Sequence, residues 1–362
     1  MQDKLAARLL AEVLGWDSAT FADTGRRLQE LARYKYDEYE GFAPGEKFIE
    51  SLAAWLAQFT PEERLIALDF VLHRLVFVSR DELDHLIETA YPDVVRPQLI
   101  RRVAASTGQQ PYRVAEITGS IGFRDLRRKT LILGLADGAR LDRLRRASPE
   151  LSHEQFYLHP EMGLDSRRTM RDQLAAAVQE LGLTEPPLFR QVILVDDFAG
   201  SGYTLLSRDE DGTWRGKLWK ASRWIGDLIR ADVVAPDASV WVLLYVASEQ
   251  AAATLRARLR EADLNWDLFV IECLPGSLSV ADTEMLSLCE RYFDPAIVDR
   301  HLTKSDAPLH LGFGGVALPL VLHHNTPNNS ISLLWADTTD RPTALGRRAL
   351  FPRRQRHNPD LP

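Results

Sequence analysis

Two hydrophobic periodicities run along this chain, and the change between them falls near Gly108. Before it, apolar residues recur three and four apart. Leu65, Leu68, Phe70, Val71 and Leu75 make one such stripe, the spacing that lines one helix face. Thr60-Pro61-Glu62-Glu63 marks its start with a capping hydroxyl, a proline at the first helical position and acids in the first turn. Ser79-Arg80-Asp81-Glu82 has the capping-box pattern and opens a helix carrying Leu83, Leu86 and Ile87. Pro92 and Pro97 punctuate its end. The first residues, MQDKLAARLLAEVLGW, are apolar at helical spacing but carry Asp3, Glu12 and Asp17, unlike a signal peptide. These patterns predict an α-helical N-terminal domain over residues 1–106. Within it, YKYDEYEGF is read as a helix end packing its rings on a neighbour, with a binding surface as the alternative.

After Gly108 the apolar residues come in short unbroken runs. Strands are expected at 131–135, 155–158, 192–195, 240–246 and 268–271. Helices are expected between them at 141–146, 166–181, 219–229 and 251–262. Runs apolar at every position suit strands buried on both faces. Their alternation with helices predicts an α/β fold with a parallel sheet, over residues 107–340. Ligands of such sheets bind at the carboxyl ends of the strands. Asp137 and the segment from Asp196 to Thr204 would both lie there.

Composition narrows the function. The 362 residues suggest about two domains. The longest apolar runs, 240–247 and 316–322, are far short of the ~20 residues a membrane helix needs. Two cysteines, Cys273 and Cys289, cannot build a disulfide framework, so a reduced, cytoplasmic setting is expected. A net charge of −7 argues against a protein that coats nucleic acid. The stretch 341–362 is read as a basic tail, since it carries Arg341, Arg347, Arg348, Arg353, Arg354 and Arg356 with no acid before His357. It is either a solvated tail or a patch facing phosphate or nucleic acid.

Two motif matches fail on context. No GxxxxGK[ST] phosphate loop is present. Gly312 to Ala317 formally matches GxGxxA, but Pro319 and an apolar run follow it instead of a helix. His323 and His324 are adjacent, not at the spacing that aims two metal ligands from one helix.

The informative stretch is VILVDDFAGSGYT, from Val192 to Thr204. An apolar strand delivers Asp196 and Asp197 to the sheet edge. Successive strand residues face opposite ways, so one carboxylate faces the crevice squarely and the turn must bring in the other. Paired carboxylates resist full ionisation unless something satisfies them. The vicinal hydroxyls of a ribose would do so, and so would a metal ion. Gly200 and Gly202 can take positive φ and let backbone N–H groups converge on an anion. Ser201 and Thr204 add hydroxyl donors. Diol-binding acids followed by a phosphate-cradling loop describe a site for ribose 5-phosphate. A plain strand end and loop is the bland alternative.

VILVDDFAGSGYT resembles the phosphoribosyl pyrophosphate signature of the type I phosphoribosyltransferase superfamily. The resemblance implies a ribose-hydroxyl role for Asp196 and Asp197. It implies a 5-phosphate loop of Ala199, Gly200, Ser201, Gly202, Tyr203 and Thr204. LILGLADGAR resembles the loop that meets the pyrophosphate, with Asp137, Gly138 and Arg140 at its turn. GLADGARLDRLRR, DDFAGSGYT and LVLHHNTPNNSISLLW together are similar to a divergent bacterial branch of conflict (anti-phage) systems, PRTase-CE-like. The resemblance implies a phosphoribosyl pyrophosphate or nucleotide ligand, Mg²⁺ carried by that ligand or touching Asp196 or Asp197, and transfer at the anomeric carbon. A non-catalytic nucleotide sensor is the rival. A third reading has the helical domain binding a partner protein and the basic tail binding nucleic acid.

The chain departs from the family pattern after Thr204. SRDEDGTWRGK intervenes where a helix would begin, and Asp211-Gly212 reads as the tip of an inserted hairpin. Further on, Asn325-Thr326-Pro327-Asn328-Asn329 is either a connection of turn formers or a loop offering amides to an acceptor. Trp335 is read as buried, with base stacking as the alternative.

Overall fold

The five apolar runs become five strands of one sheet. In the computed structural model, which describes residues 3–158, 164–183, 185–299, 302–304, 307–341 and 344–353, these are β1 (Thr130–Gly134), β2 (Phe156–Leu158), β3 (Phe189–Ala199), β4 (Val234–Ser248) and β5 (Asp267–Leu274). All neighbouring pairs are parallel, in the order β2-β1-β3-β4-β5. Chain order reverses between β1 and β3. Connections diverge at such a switch point, and a crevice opens beyond the strands' carboxyl ends.

The helices between the strands are α1 (Leu141–Ala147), α2 (Leu164–Glu180), α3 (Lys217–Arg230) and α4 (Glu249–Glu261). Leu174 and Val178 of α2, Ala221 and Leu228 of α3, and Leu255 and Leu259 of α4 share a core with Val192, Leu194, Val242 and Leu244 of the sheet. The alternate residues Ile193, Val195, Leu243 and Tyr245 are buried too. With both faces covered, the centres of β3 and β4, residues 192–195 and 240–247, are apolar at every position.

By its contacts the chain divides into two compact units, Leu83–Leu274 and Met1–Glu82 with Pro275–Pro362. This division differs from the expected boundaries at 106 and 340. The helix Arg96–Thr107 lies in the unit of the sheet. Its Arg102 guanidinium donates to the Gln191 side-chain oxygen at 2.6 Å and the Arg190 carbonyl at 3.2 Å, at the start of β3. Helical periodicity marks a buried face but not which core covers it.

The other unit joins both ends of the chain. Val76–Val78 pairs in parallel with Leu320–Leu322. The expected capping box forms between Ser79 and Glu82, and the Thr60 cap proves to be one as well, with Glu63. Within YKYDEYEGF, Tyr36 and Tyr39 are buried as the packing reading expects, whereas Tyr34 is exposed. The basic stretch is not a solvated tail as far as it is described. Phe351 is fully buried, its ring 5.6 Å from Phe48 and 5.1 Å from Tyr39. Arg348 pairs with Glu46, and Arg347 lies over the Tyr292 ring at 4.7 Å. The block finds its partners, the Glu46 carboxylate and the Tyr292 ring, far away in sequence, where a local reading cannot see them. Arg354 and Arg356 lie outside the described residues.

The asparagine loop is packed as well. Asn329 Nδ2 donates to the Phe313 carbonyl at 2.8 Å, and the buried Trp335 donates to the Ser330 carbonyl at 2.9 Å. The connecting role fits these bonds, and the amide-presenting role for Asn329 does not. Among the described residues, no helix is long and apolar enough to cross a membrane.

Candidate ligand-binding site

Alternation along β3 continues through Asp196 and Asp197, because the strand runs on to Ala199. The two carboxylates therefore go to opposite faces. Asp197, half-buried, turns toward the loop after β1. Its Oδ1 accepts from the Phe198 N–H at 2.9 Å. A Cβ on Gly138 would lie 2.5 Å from its Oδ2, so only glycine allows this approach. The turn after β1 and the acid near the end of β3 thus meet at the switch point. Asp137 is exposed and Arg140 half-buried in that turn. Arg140 holds φ 44°, a left-handed conformation costly for a non-glycine residue and frequent at functional sites. Tyr245 of β4 supports the turn from below, donating to the Ala139 carbonyl at 2.8 Å. Burial, then the charges of Asp197 and Asp196, push the Tyr245 phenol far up, which keeps it a donor.

Asp196 goes the other way, onto the face of Leu194, and is 1% exposed. Its Oδ2 accepts from Lys217 Nζ at 2.5 Å. Its Oδ1 is buried and has no hydrogen-bond partner among the described residues. Burial pushes the Asp196 carboxyl up to about 6, the Asp197 charge adds to this, and the Lys217 ammonium opposes it. The expected turn does not swing the second acid into the crevice.

The loop after β3 rests on α4. Ser248 Oγ donates to the Gly200 carbonyl and accepts from the Ala251 N–H at 2.9 Å, capping α4. Gly202 holds φ 74°, and a Cβ there would lie 3.0 Å from Leu255 Cγ. Tyr203 lies under the Arg258 guanidinium at 5.6 Å, and Arg258 also donates to the Leu206 carbonyl at 2.8 Å. Ser201 is half-buried and Thr204 exposed. The Leu206 N–H donates to the Gly202 carbonyl at 3.1 Å, one helical turn.

The inserted hairpin then forms as its sequence indicates. Ser207–Arg208 pairs antiparallel with Trp214–Arg215, and Gly212 at the tip holds φ 83°. The chain returns close to where it left. Lys217 N–H donates to the Thr204 carbonyl at 3.2 Å, and Leu218 N–H to the Leu205 carbonyl at 2.8 Å. The interrupted helix resumes beside its own first turn.

The structure thus brings Asp197 together with the Gly138 turn, and Asp196 together with α3. Lys217, Tyr245, Ser248 and Arg258 were missed from sequence. Ser248 had a readable signal, a hydroxyl between a strand and a helix. The others are joined to the site only by tertiary structure. The carboxylates are hard oxygen donors that suit Mg²⁺, but among the described residues no group of three or more metal-binding side chains is assembled. A six-coordinate Mg²⁺ here would need most of its oxygens from a ligand and water.

A five-stranded parallel sheet with acids and a glycine loop at its switch point defines a phosphoribosyltransferase-like α/β core. The PRTase-CE family model matches residues 52–353, and the chain belongs to that family. No curated protein and no solved structure matches it.

Proposed function

We propose that the crevice between β1 and β3 takes a ribose 5-phosphate group, from phosphoribosyl pyrophosphate or a related nucleotide, and that the chain acts at its anomeric carbon. The observation that carries this reading is the meeting of Asp197 with the Gly138 turn at the switch point. Asp197 accepts from the ribose hydroxyls. The backbone of Gly200, Ser201 and Gly202, with the hydroxyls of Ser201 and Thr204, holds the 5-phosphate. Arg140 faces the pyrophosphate. Ligand-borne Mg²⁺, when bound, supplies further positive charge there. In the transfer, the C1–O bond to pyrophosphate breaks, an acceptor bonds to C1, and pyrophosphate leaves with the electron pair. The work is positioning and charge stabilisation. The resemblance to conflict-system proteins supports a role in bacterial anti-phage defence.

The test is calorimetric titration with phosphoribosyl pyrophosphate and Mg²⁺, against Asp197→Asn, followed by release of pyrophosphate with nucleobases, nucleotides or RNA as acceptors. Binding that Asp197→Asn weakens, with turnover, supports the reading in full. Binding without turnover makes the chain a nucleotide sensor. No binding removes the reading.

A further inference from the structure

We propose that Lys217 is a ligand-contacting residue of this site, the cation that meets the ligand's 5-phosphate, and that Asp196 is the positioning residue that holds its ammonium there. This deepens the phosphoribosyl reading and rests on it.

The two members of the ion pair are unequally exposed, the lysine side chain 24% and the aspartate 1%. The lysine is therefore the member that a ligand can reach. Its backbone N–H is tied to the Thr204 carbonyl and its ammonium to Asp196. The side chain thus runs from the end of the glycine loop back to Asp196, in the strand that leads into that loop. In the proposed complex this ammonium meets a phosphate held by residues 199–204. An ammonium has three N–H donors, and Asp196 is its hydrogen-bond partner among the described residues. The remaining donors suit phosphate oxygens.

The inserted hairpin accounts for the lysine's position. Gly216 ends it with φ 107°, and a Cβ there would lie 2.5 Å from the Leu205 carbonyl oxygen. That tight return makes Lys217 the first residue of α3. An ordinary loop-to-helix junction would offer only backbone N–H groups to the anion. Here the insertion adds a full positive charge. A structural role explains the pair poorly, because a buried ion pair adds little stability over apolar packing. Asp196 also leaves Oδ1 buried with no hydrogen-bond partner among the described residues.

The test uses ribose 5-phosphate and phosphoribosyl pyrophosphate as calorimetric probes of the wild type, Lys217→Gln, Lys217→Arg and the uncharged double variant Asp196→Asn/Lys217→Gln. Thermal midpoints are read in parallel. Loss of a charge-assisted contact predicts about tenfold weaker binding by Lys217→Gln and recovery to within about threefold by Lys217→Arg. The double variant separates the two roles. It is expected to recover thermal stability, having no unpaired buried charge, while binding stays weak. A double variant that binds like the wild type overturns the assignment and makes the pair structural. A wild type that binds neither probe overturns the phosphoribosyl reading, and this assignment with it.

Discussion

A methyl group on Gly138 would lie 2.5 Å from Asp197 Oδ2. The two residues come from different strand ends and meet across the point where the sheet order reverses. Gly138 is not among the glycines with positive φ, so its backbone tolerates a side chain, and the atoms nearest an added Cβ are those of the Asp197 carboxylate. Gly138→Ala should therefore push Asp197 aside at little cost to folding, since the clashing atom is the far end of a flexible side chain. Ribose 5-phosphate affinity should fall about tenfold, as for a lost charged hydrogen bond, with a thermal midpoint within about 2 °C of wild type. Calorimetry and a melting curve check both halves. Unchanged affinity would remove Asp197 from the site.

Asp196 gives the fold a pH dependence of unusual sign. Burial raises its carboxyl to about 6 from an ordinary value of 3.8. Between those values the folded chain holds a proton that the unfolded chain has released. Stability from this group is therefore greatest at low pH, falls as pH rises through that window, and is level above it. Carboxylates held below their ordinary range, such as Glu82 and Asp294, slope the other way. The measurable quantity is thus a difference between proteins. Asp196→Asn should gain stability relative to wild type as pH is raised from about 4 to about 6, by urea denaturation. A difference that stays flat with pH would contradict the buried carboxyl.

The strands were legible because a parallel strand covered on both faces needs apolar residues throughout, and such runs stand out. Their lengths were less so. β3 extends from 192–195 to Phe189–Ala199 because the acids continue the extended backbone. That extension puts Asp196 and Asp197 on opposite faces. The glycine loop and the hairpin tip were readable from local backbone demands. Lys217 was not, being 21 residues from its partner. Nor was the pairing of Val76–Val78 with Leu320–Leu322, which no local pattern encodes. It is what gathers the chain's two ends into one unit.

That gathering depends on Phe351. Its side chain is fully buried among Tyr36, Tyr39, Phe42, Phe48 and Phe77. Neighbouring backbone is used too: Ser51 donates to the Leu350 carbonyl at 2.8 Å, and Tyr39 to the Pro352 carbonyl at 2.9 Å. Phe351→Ala should cost about 3–5 kcal/mol, the range for emptying a well-packed aromatic site. Arg353→Ala, at the edge of the same segment, should cost much less. Denaturant midpoints distinguish them. Similar small losses for both would mean the segment is loosely held.

The hairpin offers the sharpest separation of site from ornament. Its two ends are already tied, through Lys217 to Thr204 and Leu218 to Leu205. Its tip should then be dispensable. Replacing residues 209–213 with Asn-Gly keeps both strands and supplies a two-residue turn matched to their twist. Shortening a loop this little should change stability by about 1 kcal/mol or less, and ribose 5-phosphate binding should be unaltered. Gly216→Ala is the contrasting change. It forces a side chain into φ 107° and against the Leu205 carbonyl, which costs more than a glycine-to-alanine change in relaxed backbone. It also displaces the first turn of α3, and Lys217 with it. Binding should weaken in Gly216→Ala and survive in the shortened hairpin. The reverse pattern would assign the ligand to the hairpin tip instead of the loop and the lysine.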